Sequence, residues 1–116
     1  MIQHVALEVR EADVPACERF WALLGFDPVV APGELAQRSA WVQRGGQQIH
    51  LLFADAPVAL PQGHVAVVVE DYDATLAALR SAGFEPEPRA EYWGSPRCFV
   101  RCPAGHRVEL MAFGPG

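Results

Sequence analysis

The chain has 116 residues, with 9 basic against 14 acidic side chains and a net charge of −5. Hydrophobic residues make up 51% and charged residues 20%, the balance of an ordinary folded domain, which excludes disorder, coiled coil and collagen. Every basic residue is arginine, and these arginines form no cluster in the sequence, so nucleic acid is not an expected partner. No apolar run approaches the ~20 residues of a membrane helix, so a membrane is not an expected partner either.

The first half of the chain predicts a strand, a helix and three further strands. Residues 2–9 are short and rich in Val and Leu, as strands are. The helix is expected to begin at Asp13, whose carboxylate can cap free backbone N–H groups, and to end before Gly25. Its buried stripe has helical spacing and comprises Val14, Cys17, Trp21 and Leu24. The three further strands are predicted over 27–31, 36–44 and 46–53.

The second half predicts the same order. A strand over 63–69 leads to a helix capped by Asp71 and ended by Gly83, and strands follow over 85–92, 96–102 and 106–113. His106 is expected to be a surface turn residue. Cys17, Cys98 and Cys102 are the only cysteines; they are predicted to be core thiols, and their odd number without CxxC spacing indicates a reducing cytoplasm.

The two halves look like copies of one module. Four landmarks recur at an offset of about 60 residues, which chance similarity rarely maintains. The matched segments are His4-Val5-Ala6 with His64-Val65-Ala66, Leu24-Gly25-Phe26 with Ala82-Gly83-Phe84, Trp41-Val42 with Phe99-Val100, and His50-Leu51-Leu52 with Glu109-Leu110-Met111. We therefore predict one domain over 1–116, made of modules at about 1–56 and 62–116.

The repeat also pairs residues that bind metals. His4 matches His64, and His50 matches Glu109. A single histidine on a strand is more often a hydrogen-bonded structural residue, but two matched pairs related by a pseudo-twofold axis would bring four ligands toward one point. Imidazole nitrogen and carboxylate oxygen suit Zn, Ni, Mn or Fe, and four ligands leave a coordination position open, as a catalytic metal requires.

The sequence resembles the vicinal oxygen chelate superfamily, which includes glyoxalase I, extradiol dioxygenases, fosfomycin-resistance transferases, methylmalonyl-CoA epimerase and bleomycin-resistance binding proteins. The resemblance covers the whole chain. It rests on His4-Val5-Ala6-Leu7, on Phe20-Trp21 through Leu24-Gly25-Phe26, on Gly63-His64-Val65-Ala66 with Glu70-Asp71, and on the Pro-x-Gly-x-x-x-Glu-Leu ending at 103–110.

The resemblance implies an α+β fold of two tandem βαβββ modules, which form a cup-shaped, mostly antiparallel sheet with a helix on the outer face of each module. It places a divalent metal on His4, His64 and Glu109, and His50 falls where glyoxalase I-like members have a fourth, usually acidic, ligand. Glu109 would also be the catalytic base. A homodimer with sites at the subunit interface is the commoner arrangement in the family.

Strand alternation gives a candidate substrate wall. Arg97 and Phe99 share a face opposite the cysteines, and with Arg89 and Trp93 they are predicted to hold an anionic or aromatic substrate; solvated arginines on an edge strand are the alternative. The leading hypothesis is a metal-dependent, glyoxalase-like lyase or isomerase acting on a small molecule with adjacent oxygens. The alternatives are a metal-free drug- or metabolite-binding protein and a ring-cleaving extradiol dioxygenase.

Overall fold

The two halves of the chain fold into two sheets of four strands each, in a computed structural model that describes residues 1–116. Each half also has one helix of ten residues. The elements are β1 His4–Val9, α1 Val14–Leu23, β2 Asp27–Val29, β3 Ser39–Arg44, β4 Gln47–Phe53, β5 Val65–Val68, α2 Tyr72–Ser81, β6 Glu87–Pro88, β7 Arg97–Arg101 and β8 Arg107–Met111. Neither helix is long and apolar enough to cross a membrane.

The predicted tandem βαβββ architecture is confirmed by the strand order. The sheets run β1-β4-β3-β2 and β5-β8-β7-β6, and in each the first strand is parallel to the last while the other pairs are antiparallel. No strand pairing joins the two sheets, so the eight strands form an open surface rather than a closed barrel. The sequence repeat is therefore also a repeat of topology.

The register matches the two modules residue by residue. Ala6 lies opposite His50 in the first sheet, and Ala66 lies opposite Glu109 in the second. The next strand completes the correspondence, since Trp41 pairs with His50 and Phe99 pairs with Glu109. Each candidate ligand on β4 or β8 thus has an aromatic residue on one side and an alanine on the other.

The helix boundaries confirm one predicted cap and contradict the other. Asp71 caps α2, since its Oδ1 accepts a hydrogen bond of 3.0 Å from the backbone N–H of Ala74. Asp13 does not cap α1: its backbone is already helical at the end of a short 3₁₀ turn, and its side chain makes no capping bond. Gly25 and Gly83 follow the helices with φ of +88° and +92°, the left-handed conformation that glycine adopts without strain.

Several strands are shorter than the hydrophobic pattern predicts. Residues 33–37 form a 3₁₀ helix, so β3 begins at Ser39 rather than at residue 36. The edge strands β2 and β6 contain Pro28 and Pro88 and have only three and two residues. Proline cannot donate a hydrogen bond to a neighbouring strand and is tolerated only at sheet edges, which explains why the predicted strands over 27–31 and 85–92 do not extend.

The two modules share one hydrophobic core. A single cluster of 18 buried residues includes side chains from both, and the rings of Phe20 and Phe84 meet across the junction with centroids 5.1 Å apart. His106 is not the surface residue that the sequence suggested: it is buried, and its Nε2 lies 2.7 Å from the carbonyl oxygen of Glu8. This contact ties the β7–β8 turn of the second module to β1 of the first.

All three cysteines are free and buried in this core, as the sequence predicts. Burial raises the pKa of Cys17 to about 12 and also raises the pKa values of Cys98 and Cys102. Because the thiolate is the reactive form, we expect an aromatic disulfide reagent at pH 8 to modify no cysteine in the native protein and all three in denaturant. Rapid colour development from even one native thiol would contradict this packing.

Candidate functional site

The sheet faces turned away from the core carry the candidate metal ligands in two separate pairs. Val5 and Leu7 pack against the core, so strand alternation places His4 on the opposite face of β1. His50 on β4 shares that face because it pairs with Ala6. The second sheet presents Glu109 in the corresponding place, with the His64 ring against it. We call these pairs the first and second half-sites.

The first half-site contains a column of three parallel rings. The ring of His4 stacks on His50 with centroids 3.9 Å apart and planes at 12°, and His50 stacks on Trp41 at 3.8 Å and 2°. The Nε2 atom of His50 lies 2.8 Å from Oε1 of Gln48, which holds the ring in this orientation. Burial, followed by the proximity of His4, lowers the pKa of His50, and this favours the neutral imidazole that can bind a metal.

The second half-site is a hydrogen-bonded triad. The Nε2 atom of His64 lies 3.0 Å from Oε1 of Glu109, and Nη1 of Arg97 donates to Oε2 at 3.1 Å. The Glu109 side chain is only 10% exposed, so both of its oxygens have partners in a region with little water. Arg97 is fixed in turn, because its Nε donates to the carbonyl oxygen of Ala90 at 2.7 Å. The guanidinium thus orients the carboxylate and balances its charge.

The ring nitrogens of His4 and His64 are arranged as in histidines that bind metals. Nδ1 of His4 lies 2.7 Å from Oε1 of Gln3, and Nδ1 of His64 lies 2.7 Å from the carbonyl oxygen of Gln62. Metal-ligating histidines characteristically donate one ring N–H to such an oxygen, which fixes the tautomer and leaves the other nitrogen for the ion. The donor set therefore fits a divalent metal, which Nε2 would bind in both histidines; in His64 this nitrogen faces Oε1 of Glu109.

One chain does not assemble these residues into a complete site. No group of three or more His, Cys, Asp or Glu side chains lies close enough together to hold a metal ion. His4 and His64 both border a cleft of about 430 Å³ between β1 and β5, but each remains with its own partner. The His4 and His50 rings are stacked, so their in-plane lone pairs run side by side rather than converging on one point.

The predicted substrate-binding residues gather around the second half-site. Arg89 lies over the Phe99 ring at 4.9 Å, and Arg97 lies 5.9 Å from the ring of Trp93. Trp93 is held by its own Nε1, which donates to the carbonyl oxygen of Phe113 at 2.7 Å. These four side chains therefore form one wall next to Glu109.

Three contributors to the open faces were not among the predicted site residues. Arg107 lies 4.7 Å over the Phe99 ring, and Trp41 closes the ring column of the first half-site. Arg107 and Trp41 had a signal in the sequence, since Arg107 alternates with Glu109 on one strand and Trp41 matches Phe99 in the repeat. The Tyr92 ring lies 5.2 Å from the guanidinium of Arg97. Tyr92 falls in a loop rather than in the strand predicted over 85–92, so strand alternation does not give its direction.

Comparison with known families decides the classification. Residues 1–110 match the model of the Glyoxalase/Bleomycin resistance protein/Dioxygenase superfamily. The chain belongs to this superfamily. The resemblance to the vicinal oxygen chelate proteins is thereby confirmed, and the open, doubled βαβββ sheet is the superfamily's fold in this chain.

Solved structures of the superfamily superimpose over nearly the whole chain. A glyoxalase family protein from Enterococcus faecalis is 25% identical, with 96% of each chain covered and a TM-score of 0.74. A lactoylglutathione lyase from Agrobacterium tumefaciens is also 25% identical, covering 96% of this chain and 92% of its own at a TM-score of 0.71. The fosfomycin resistance protein FosX from Mesorhizobium loti shares the fold at 16% identity and a TM-score of 0.77, covering 98% of this chain and 92% of its own. Among curated proteins, none matches the sequence significantly.

Proposed function

We propose that this protein is a metal-dependent enzyme that acts on a small substrate with two adjacent oxygen atoms, as a lyase or isomerase of the glyoxalase type in the broad sense. The ligands would be His4 and His50 from the first half-site and His64 and Glu109 from the second; His4 and His50 can bind the same ion only when their rings leave the stacked arrangement. The observation that carries the proposal is the matched pair of half-sites, in which Nδ1 of both His4 and His64 faces an oxygen atom and Nε2 of His64 faces the carboxylate of Glu109, the other proposed ligand of its half-site.

The same geometry supports a homodimer as the active form. Each chain offers two half-sites, and no three potential ligands meet within it. If the first module of one chain faces the second module of its partner, the twofold axis completes two equivalent sites at once. A complete site then contains three imidazoles and one carboxylate. We place this dimer in the cytoplasm, in keeping with its three free thiols.

The chain's own residues can position and move a proton. A divalent metal bound there would supply Lewis acidity to the substrate oxygens. Glu109 is the general base, taking a proton from the carbon beside those oxygens and returning it to the neighbouring carbon. Arg97 holds the carboxylate in place through Oε2, and the low exposure of both side chains keeps water away from the transferred proton.

A metal-free binding protein is the second candidate, and the column of His4, His50 and Trp41 favours it. Flat stacked rings 3.8–3.9 Å apart offer a surface on which a planar drug or metabolite could stack.

A ring-cleaving dioxygenase uses two histidines and one carboxylate around Fe(II), a set that this chain also contains. Oxygen consumption with catechols would identify that activity and separate it from an isomerase or lyase.

Metal titration distinguishes the enzyme hypotheses from the binding protein. We expect chelator-stripped protein to take up one equivalent per chain of Zn, Ni, Mn or Fe, measured by elemental analysis and calorimetry. Glu109→Gln should weaken metal binding by about 100-fold or more, because a carboxylate ligand and its negative charge are lost. Glu87→Gln is the matched control, since Glu87 lies on the same sheet, is exposed and makes no ion pair.

The outcomes separate cleanly. Wild-type protein that takes up none of the four metals would exclude both enzyme hypotheses and leave the binding protein. Equal losses in Glu109→Gln and Glu87→Gln would remove Glu109 from the ligand set. Full affinity in His50→Ala would likewise remove His50, and the ring column would then be a support for His4 alone.

A further inference from the structure

The open face of the second sheet has an unusual concentration of positive charge. Four of the nine basic residues of this acidic chain are on β7, β8 or immediately after β6, namely Arg89, Arg97, Arg101 and Arg107. Arg101 and Arg107 lie directly opposite each other in the β7–β8 ladder, where like charges destabilise a sheet. The only two ion pairs of the chain both involve Glu109, so neither of these arginines is neutralised by a carboxylate.

Three of the four guanidinium groups surround Phe99. Their central carbons lie 4.7 Å (Arg107), 4.9 Å (Arg89) and 5.7 Å (Arg97) from the ring centroid. Arg97 is already bonded to Glu109 and to the backbone of Ala90. The side chains of Arg89 and Arg107 make no hydrogen bond within the protein, and the Phe99 ring supports both. Their N–H donors are therefore free for a ligand placed beside this ring.

The surroundings limit the size of that ligand's charged group. The pocket at Phe99 has a volume of about 100 Å³ and is also bordered by Glu85 and Glu87. These carboxylates have no ion-pair partner, so they repel an extended polyanion while leaving room for one compact anionic group next to the arginines. The pocket is close to the second half-site, because Phe99 pairs directly with Glu109 and Arg107 is two residues along β8, about 7 Å away.

We propose that Arg89 and Arg107, on Phe99, bind a single carboxylate or phosphonate group of the substrate, whose other end extends across the strand to Glu109. That this group belongs to the substrate rests on the proposed function, whereas the anion pocket itself needs no metal. A guanidinium binds a carboxylate or phosphonate through two parallel hydrogen bonds, so two unpaired arginines at one ring select an anion over a neutral molecule of the same shape.

Binding of three benzene derivatives tests the pocket. Benzoate, phenylphosphonate and the neutral benzamide would be titrated by calorimetry into the full-length protein, both metal-free and metal-loaded. We expect both forms to bind at least one of the two anions about ten-fold more tightly than benzamide, and rising salt to reduce the difference. The better of the two anions identifies the chemical class. The double variant Arg89→Gln/Arg107→Gln should lose the preference, whereas Arg19→Gln, an exposed arginine on α1, should keep it.

The result is independent of the metal titration. Equal affinity for benzamide and both anions, or an undiminished preference in the double variant, overturns the anion pocket even if metal binds. A preference that is present in protein unable to take up metal supports the pocket and counts only against the enzyme proposal. Unchanged melting temperatures in the variants, expected for two side chains without protein hydrogen bonds, confirm that the loss is one of binding.

Discussion

A mixture of His4→Ala and His64→Ala chains is expected to bind metal, although neither variant does so alone. In a dimer whose sites each combine the first module of one chain with the second module of the other, the heterodimer has one site with both substitutions and one site with none. Random exchange makes half of the dimers mixed, so about a quarter of the wild-type sites should return. Metal content after joint unfolding and refolding measures this fraction.

The matched control mixes two variants whose substitutions both lie in the second module. A mixture of His64→Ala and Glu109→Gln chains has one altered ligand in every site of every dimer, so it should stay metal-free. If the His4 and His64 variants also fail to restore binding, although mass spectrometry shows that the chains have exchanged, then each site is built within one chain. That result would discard the dimeric site while leaving the ligand set intact.

Truncation of Phe20 should be strongly destabilising, although this residue lies away from the proposed metal ligands. Phe20 is fully buried on α1, and its ring contacts Trp21 in its own module and Phe84 in the other. Phe20→Ala would remove the ring, leave a cavity and loosen the contact between modules, at a cost of about 3–5 kcal/mol of unfolding free energy. For a domain stabilised by roughly 5–15 kcal/mol, this is a large fraction. Urea denaturation followed by circular dichroism measures it.

Phe113→Ala is the control for Phe20→Ala, because it makes the same substitution at a more exposed position. Phe113 is half exposed, so its removal should change the unfolding free energy by less than about 1 kcal/mol. The shared core also predicts a single transition for the wild-type protein, since one cluster of buried side chains includes residues of both modules. Two separate transitions would mean that the modules fold independently, and similar losses in Phe20→Ala and Phe113→Ala would contradict the assignment of Phe20 to the shared core.

The sequence predicted the fold well because the repeat constrains it. An offset that holds from His4 to Glu109 implies the same strand register in both modules, and the structure has this register. Local signals were less reliable where tertiary contacts decide the outcome. The backbone of Asp13 is helical, which rules out the cap, and His106 follows a turn glycine yet is buried because the first module covers it.

For the candidate site, the sequence predicts which residues share a sheet face and which positions of the two modules correspond, but no more. Alternation indicates which residues share a face with Glu109, but it does not give side-chain rotamers. The stacking of His50 between His4 and Trp41 depends on χ angles that no spacing specifies. The bond from Arg97 to Glu109 likewise turns a residue predicted to bind substrate into one that also positions the carboxylate.

The Arg97–Glu109 pair has a consequence for the protein without the proposed metal ion. In small zinc domains the metal is part of the fold, and chelation unfolds the chain. Here the proposed acidic ligand, Glu109, is already neutralised and oriented by an arginine at 3.1 Å and a histidine at 3.0 Å, and the hydrophobic core lies on the other side of the sheet. Stripping and reloading should therefore be reversible, which lets one preparation be reconstituted with each metal in turn and compared directly.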